Sequence, residues 1–189
     1  MTMTEQTTTE QATTGQTTTG QISGERADLL AMLAQHRHFL RFTTRDLTDE
    51  QAGQRTTASE LCLGGLIKHV TAVERNWAAF MVEGASAMGD FTEMTEEDWQ
   101  RWADEFRMLP GDTLAGVLDA YAEVARTTDG WVAALPDLDA VRELPKAPWF
   151  TETHWSVRRV LMHIVAETAQ HAGHADIIRE SMDGAKSMG

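Results

Sequence analysis

Three histidines and a glutamate stand in a row near the end of the chain. They are His163, Glu167, His171 and His174, within the run from Ser156 to Glu180. Their spacings of four, four and three place them one above another on an α-helix, with Cβ atoms about 5–6 Å apart on successive turns. Imidazole and carboxylate are ordinary ligands for zinc and similar divalent ions, so Glu167 and His171 can grip one ion from consecutive turns. A lone histidine beside an apolar stripe is ordinarily a hydrogen-bonded boundary residue. A row of three with a carboxylate among them points instead to a metal. His69 occupies a matching place upstream, at the edge of another apolar stripe between Leu66 and Val73. Three protein ligands, His69, Glu167 and His171, would leave coordination positions open for water or substrate, as catalytic sites do and closed structural sites do not. Two other pairs stay open within the row. His163 with Glu167 moves the ion one turn towards the helix start, and His171 with His174 is feasible at a spacing of three.

The elements that must position these groups follow from apolar periodicity. Val157, Val160, Leu161, Ile164, Thr168, Ala172, Ala175 and Ile178 recur every three or four residues, the pattern of one buried helical face. That helix ends near Asp183-Gly184, where glycine is a natural C-cap. A helix carrying His69 is expected from a Ser59 cap to Gly84, with Leu66, Val70, Val73, Trp77 and Met81 inward. Gly64-Gly65 inside it costs roughly 1 kcal/mol each relative to alanine, which suggests that another backbone or a ligand comes close there. A first helix is expected over residues 24–46 after a Ser23 cap, with Leu33, His36 and Leu40 striped inward. The stretch 48–58 is polar. Thr95 to Asp98 has the pattern of a capping box and starts a short helix to about Met108. Pro110-Gly111 breaks that helix, and Asp112 is expected to cap another running to Leu135. Residues 137–154 form a long connection, a crossover that could also lie over the mouth of a pocket. These elements predict an all-α fold, a four-helix bundle with long connections and a short extra helix.

Composition narrows the function. The chain has 189 residues, 42% of them hydrophobic, and a formal charge of −13 with a pI near 4.8. Such an acidic surface opposes nucleic acid and anionic lipid. No run reaches the roughly 18 apolar residues of a membrane helix. Cys62 is the single cysteine, a packing residue by its apolar surroundings, and a reducing cytoplasmic location is expected. Residues 1–22, rich in threonine and glutamine, are expected to be a disordered tail. A bundle over 23–184 and a short tail over 185–189 complete the division. The di-metal pattern of paired Glu-x-x-His, the protease pattern His-Glu-x-x-His and Gly-x-Ser-x-Gly are all absent.

Two runs carry a family resemblance: Leu63-Gly-Gly-Leu-Ile-Lys-His69-Val-Thr-Ala-Val-Glu-Arg-Asn-Trp77, and Arg159 to Glu180 with its row of histidines. In this order and spacing they resemble the DinB/YfiT-like superfamily, and within it the small actinobacterial proteins related to mycothiol- and bacillithiol-dependent enzymes. The resemblance implies a four-helix bundle holding a divalent metal through His69, Glu167 and His171. Many members have histidine where this chain has Glu167. The mycothiol-dependent maleylpyruvate isomerase is similar in having glutamate there, but its activity also uses a further C-terminal domain, so isomerase activity is not carried over. The resemblance further implies a thiol S-transferase acting on a small-molecule electrophile, with mycothiol as a co-substrate. Zinc is the first choice of metal, and nickel or iron are alternatives. His163, His174 and His36 are the candidates to carry protons. Two other functions fit the same ligands: a non-catalytic bundle that binds metal or a small ligand, for which a homodimer is one arrangement, and a hydrolase using metal-bound water.

Overall fold

A computed structural model describes residues 24–188. The expected tail over 1–22 and the expected Ser23 cap lie outside the described residues. Four long helices make the bundle: α1 (Glu25–Phe42), α3 (Leu63–Glu83), α5 (Leu114–Ala134) and α6 (Val157–Asp183). Two short helices, α2 (Asp49–Ala52) and α4 (Glu96–Asp104), sit in the connections, and strands β1 (Val141–Glu143) and β2 (His154–Ser156) pair as an antiparallel hairpin before α6. None of the helices among the described residues is long and apolar enough to cross a membrane.

Polar contacts at the helix ends fix the directions. Arg158 at the start of α6 pairs with Glu25 at the start of α1. Near the end of α6, Arg179 donates to the carbonyls of Thr43 and Arg45 just past α1, at 2.9 and 2.8 Å. These two helices therefore run parallel. Arg26 reaches the Val132 carbonyl at 2.7 Å near the end of α5, so α5 runs opposite to α1. Lys68, early in α3, meets Asp112 just before α5 at 2.6 Å, so α3 and α5 are parallel. The order is up, down, down, up. A parallel α3–α5 pair requires a crossover the length of the bundle, and α4 lies within it.

The expected bundle is present, with local corrections. Helix α1 stops at Phe42 rather than Asp46; the Thr43 and Thr44 hydroxyls bond back to Leu40 and Arg41 carbonyls, and Asp46 takes φ 58°. Its inward polar residue is Arg37, not His36, which stands half-buried against Phe39. Arg37 makes a two-armed pair with the fully buried Glu74 and a third bond to Asp129 at 2.9 Å. The polar stretch 48–58 contains α2, closed by a capping box between Thr48 and Gln51. Cys62, not Ser59, is the N-cap of α3. Thr113, not Asp112, caps α5, because the Asp112 carboxylate is engaged by Lys68 and the Leu109 N–H. The Thr95 capping box and the Gly184 C-cap are as expected, but the short helix ends at Asp104 rather than near Met108.

Two apolar clusters fill the bundle. One gathers Leu33, Trp77, Phe80, Trp155 and Ile164, the other Leu40, Leu66, Val70, Tyr121 and Ile178. Gly64 and Gly65 explain how the crossover packs on α3. A Cβ on Gly65 would overlap the Phe106 carbonyl, and one on Gly64 would overlap the Met108 side chain. Alanine should therefore act with opposite signs at two helical glycines. Gly65→Ala must displace backbone and should lower stability by about 1–3 kcal/mol or more. Gly130→Ala in α5, where an added Cβ meets nothing within 4 Å, should raise it by up to about 1 kcal/mol. Urea denaturation of the two variants checks both signs.

Candidate metal centre

Helices α3 and α6 pack side by side in opposite directions, which brings the second turn of α3 against the middle of α6. His69, Glu167 and His171 each offer a ligand atom there, and the three atoms lie within 4.8 Å of one another. The rings of His69 and His171 meet edge to face at 4.9 Å. Glu167 is flanked on its own helix: Oε2 lies 3.6 Å from His171 Nε2, and Oε1 lies 3.7 Å from His163 Nε2. The facing Nε2 of His171 is the main cause that lowers the Glu167 pKa, against burial, and the nearby imidazoles of His163 and His69 act in the same direction. The carboxyl is thus held ionised. Burial lowers the His163 pKa, opposed by Glu167, and keeps that ring neutral between Trp77 and Trp155.

The residues present fit a divalent cation. An ionised carboxylate and two imidazoles are a borderline donor set suited to zinc and its neighbours. Nδ1 of His69 is buried without a hydrogen-bond partner among the described residues, which leaves Nε2 as the nitrogen of that ring open to an ion. The other sequence candidates separate by position. His163 lines the same cleft. His174 stands behind His171, Nδ1 to Nδ1 at 3.4 Å, and does not line it. His36 on α1 is outside the cleft altogether.

The cleft over the cluster has a volume of about 440 Å³ and is walled by Trp77, Phe91, Trp102, Phe106, Trp149 and Phe150. Trp149 and Phe150 come from the long connection 137–154, which therefore lies over the mouth as well as returning the chain. The Phe91 N–H bonds the Lys146 carbonyl at 3.2 Å and ties the two mouth loops together. A larger groove, about 1040 Å³, runs between α1 and α5, but the cluster of candidate ligands is not on it. Sequence spacing missed two residues beside His69. Glu105 places Oε2 3.5 Å from its Nδ1, and Phe106 stacks on its ring at 4.0 Å. Both belong to the crossover, out of reach of any helical period. The signal for them was Gly64-Gly65, which required something to dock there.

A sequence profile of the family described as mycothiol-S-transferase matches residues 28–184. No curated protein matches the chain. A crystal structure described as the conserved protein of locus from Enterococcus faecalis is similar, with a TM-score of 0.63 over 87% of this chain and 100% of that one. At 13% identity that likeness concerns the fold alone.

The charge states set a pH dependence for the metal-free protein. A half-buried neutral histidine in an aromatic slot resists protonation in the folded state, so His163 makes stability fall as pH drops below about 6.5, where the unfolded ring takes up its proton. Glu167 has a folded-state pKa below its usual 4.5, so its contribution is present above that value and is lost as pH falls through the lowered one. With chelator present, urea midpoints should decline from pH 7 to pH 5. His163→Gln should flatten that decline and leave the steeper loss below pH 4.5. An unchanged slope in the variant would count against the neutral His163 ring.

Proposed function

The chain belongs to the mycothiol-S-transferase family, and from that membership we propose a divalent-metal-dependent S-transferase. It would join a low-molecular-weight thiol, mycothiol or a close analogue, to a small electrophile. One observation carries the reading: His69, Glu167 and His171 converge within 4.8 Å at the base of an open, aromatic-walled cleft. These three would hold the metal, zinc by the donor set, with nickel or iron as alternatives. A metal bound there would keep a thiol as thiolate near neutral pH, where a free thiol with pKa near 8.5 is mostly protonated.

The remaining groups are suited to the rest of the chemistry. His163 faces the second oxygen of Glu167 and lines the cleft, so it is the candidate placed to relay a proton from an incoming thiol. His174 backs His171 and serves to orient it. Trp77, Phe106 and Phe150 give flat apolar walls that suit an uncharged, apolar electrophile and exclude water from the reacting sulfur. The sulfur forms a bond to the electrophilic carbon, and the leaving group departs as an anion.

Untagged protein should carry about one divalent ion per chain by elemental mass spectrometry, as one three-ligand site requires. Glu167→Ala and His69→Ala should abolish that content. Metal-loaded protein should consume an apolar halogenated aromatic only when mycothiol is supplied, and both variants should fall to the uncatalysed background. Turnover that is independent of thiol would replace the transferase reading with a hydrolase. A fully loaded protein inert towards every thiol and electrophile tried would leave a binding bundle.

A further inference from the structure

We infer that Glu105 is a positioning residue for this site: its carboxylate takes the Nδ1–H of His69 and so turns Nε2, with its lone pair, towards the cleft. The inference deepens the metal reading and rests on it. Nδ1 is the buried nitrogen of His69 and no described residue meets it with hydrogen-bond geometry. The carboxylate of Glu105 faces it, with Oε2 at 3.5 Å. Closing that separation by about half an ångström gives an ordinary charge-assisted hydrogen bond.

Three features aim Glu105 there. Its backbone is fixed as the C-cap of α4, with its N–H on the Trp102 carbonyl at 3.2 Å. The next residues are anchored to α3 itself: Lys68 donates to the Arg107 carbonyl at 2.9 Å, the Cys62 thiol lies 3.7 Å from the Phe106 carbonyl, and the bare backbone of Gly65 admits that carbonyl. Phe106 then lies flat on the His69 ring, with planes 24° apart, and blocks its tilt. Glu105 has no other ion pair among the described residues, so its carboxylate is available to the ring. It is not one of the three groups clustered within 4.8 Å, which separates it from the ligands. A metal-ligating histidine ordinarily gives its second ring N–H to such a carboxylate, which fixes the tautomer and raises the basicity of the ligating nitrogen.

The test uses the full chain and its Glu105→Ala and Glu105→Gln variants, with zinc as the probe. Nitrogen-15 NMR of the metal-free protein near pH 8 should show His69 as the Nδ1–H tautomer. In Glu105→Ala the Nε2–H form should gain population, and in Glu105→Gln, whose amide oxygen still accepts, the Nδ1–H form should persist. Competition with a chromophoric chelator should show zinc affinity about 10–100-fold weaker in Glu105→Ala, with Glu105→Gln in between. Thermal midpoints of the metal-free variants report folding separately. A folded Glu105→Ala chain with wild-type tautomer and wild-type zinc affinity overturns the inference. If the wild type binds no zinc, the metal reading falls instead, while the tautomer comparison still decides whether Glu105 orients the ring.

Discussion

The bare backbone of Gly65, pressed against the Phe106 carbonyl, is the contact on which the site depends. A helix at this place gains propensity from almost any side chain, by roughly 1 kcal/mol for alanine over glycine. The chain forgoes that gain twice in succession, at Gly64 and Gly65. What it obtains is a crossover seated directly on α3, one turn before His69, with Met108 on Gly64 and Phe106 on Gly65. Because α3 and α5 run parallel, the crossover has to travel the length of the bundle, and its anchorage cannot come from a tight turn. The glycine pair supplies that anchorage, and Phe106 and Glu105 arrive on the His69 ring as a consequence.

A second constraint lies inside the bundle. Arg37, Glu74 and Thr168 are buried and sit one turn from members of both apolar clusters on their own helices, and the buried Thr128 lies one turn from Val132 and two turns from Tyr121. They form a polar belt between the two halves of the core. Burial raises the Tyr121 pKa strongly, with Glu74 adding to the effect, so this phenol stays protonated beside the belt. A buried ion pair of this kind is weak support for stability, because desolvation offsets most of its attraction. Its geometry is nevertheless demanding: the guanidinium meets Glu74 with two nitrogens and Asp129 with a third. It holds the Arg37 face of α1 against the Glu74 face of α3. With Glu74 facing α1, His69 five residues earlier on α3 faces α6.

How much of this was legible in the sequence follows from the range of each signal. The α6 row was legible because spacings of three and four are resolved within a single helix, and the four long helices showed through their apolar stripes. The close approach at Gly64-Gly65 was legible as a need without a partner. Arg37 was not, since His36 and Arg37 are adjacent and its partner Glu74 lies 37 residues away. Cys62 and Thr113 displaced Ser59 and Asp112 as caps for a tertiary reason in the second case: Lys68 claims the aspartate. Strands of three residues, such as β1 and β2, have too few positions to show a period, and α2 with four residues shows none either, its one signal being the Thr48-x-x-Gln51 capping box.

The two walls of the site differ in how they are held. On the α6 side, Glu167 and His171 are each backed by a histidine of the same helix, His163 and His174. Every group of that wall belongs to α6 itself. On the α3 side, His69 is backed by Glu105 and Phe106, which reach it only after a crossover has docked. Helix α4 itself has no fully buried residue, and Trp99 and Trp102 remain largely exposed. The least buried helix therefore governs the orientation of the ring that α3 contributes. Local opening free energies scale with buried apolar contact, so a loosening of α4 would disturb His69 before it disturbed Glu167 or His171. Trp102 and Phe106 also wall the cleft. The state of the crossover thus couples access to the cleft with the aim of one of its three candidate ligands.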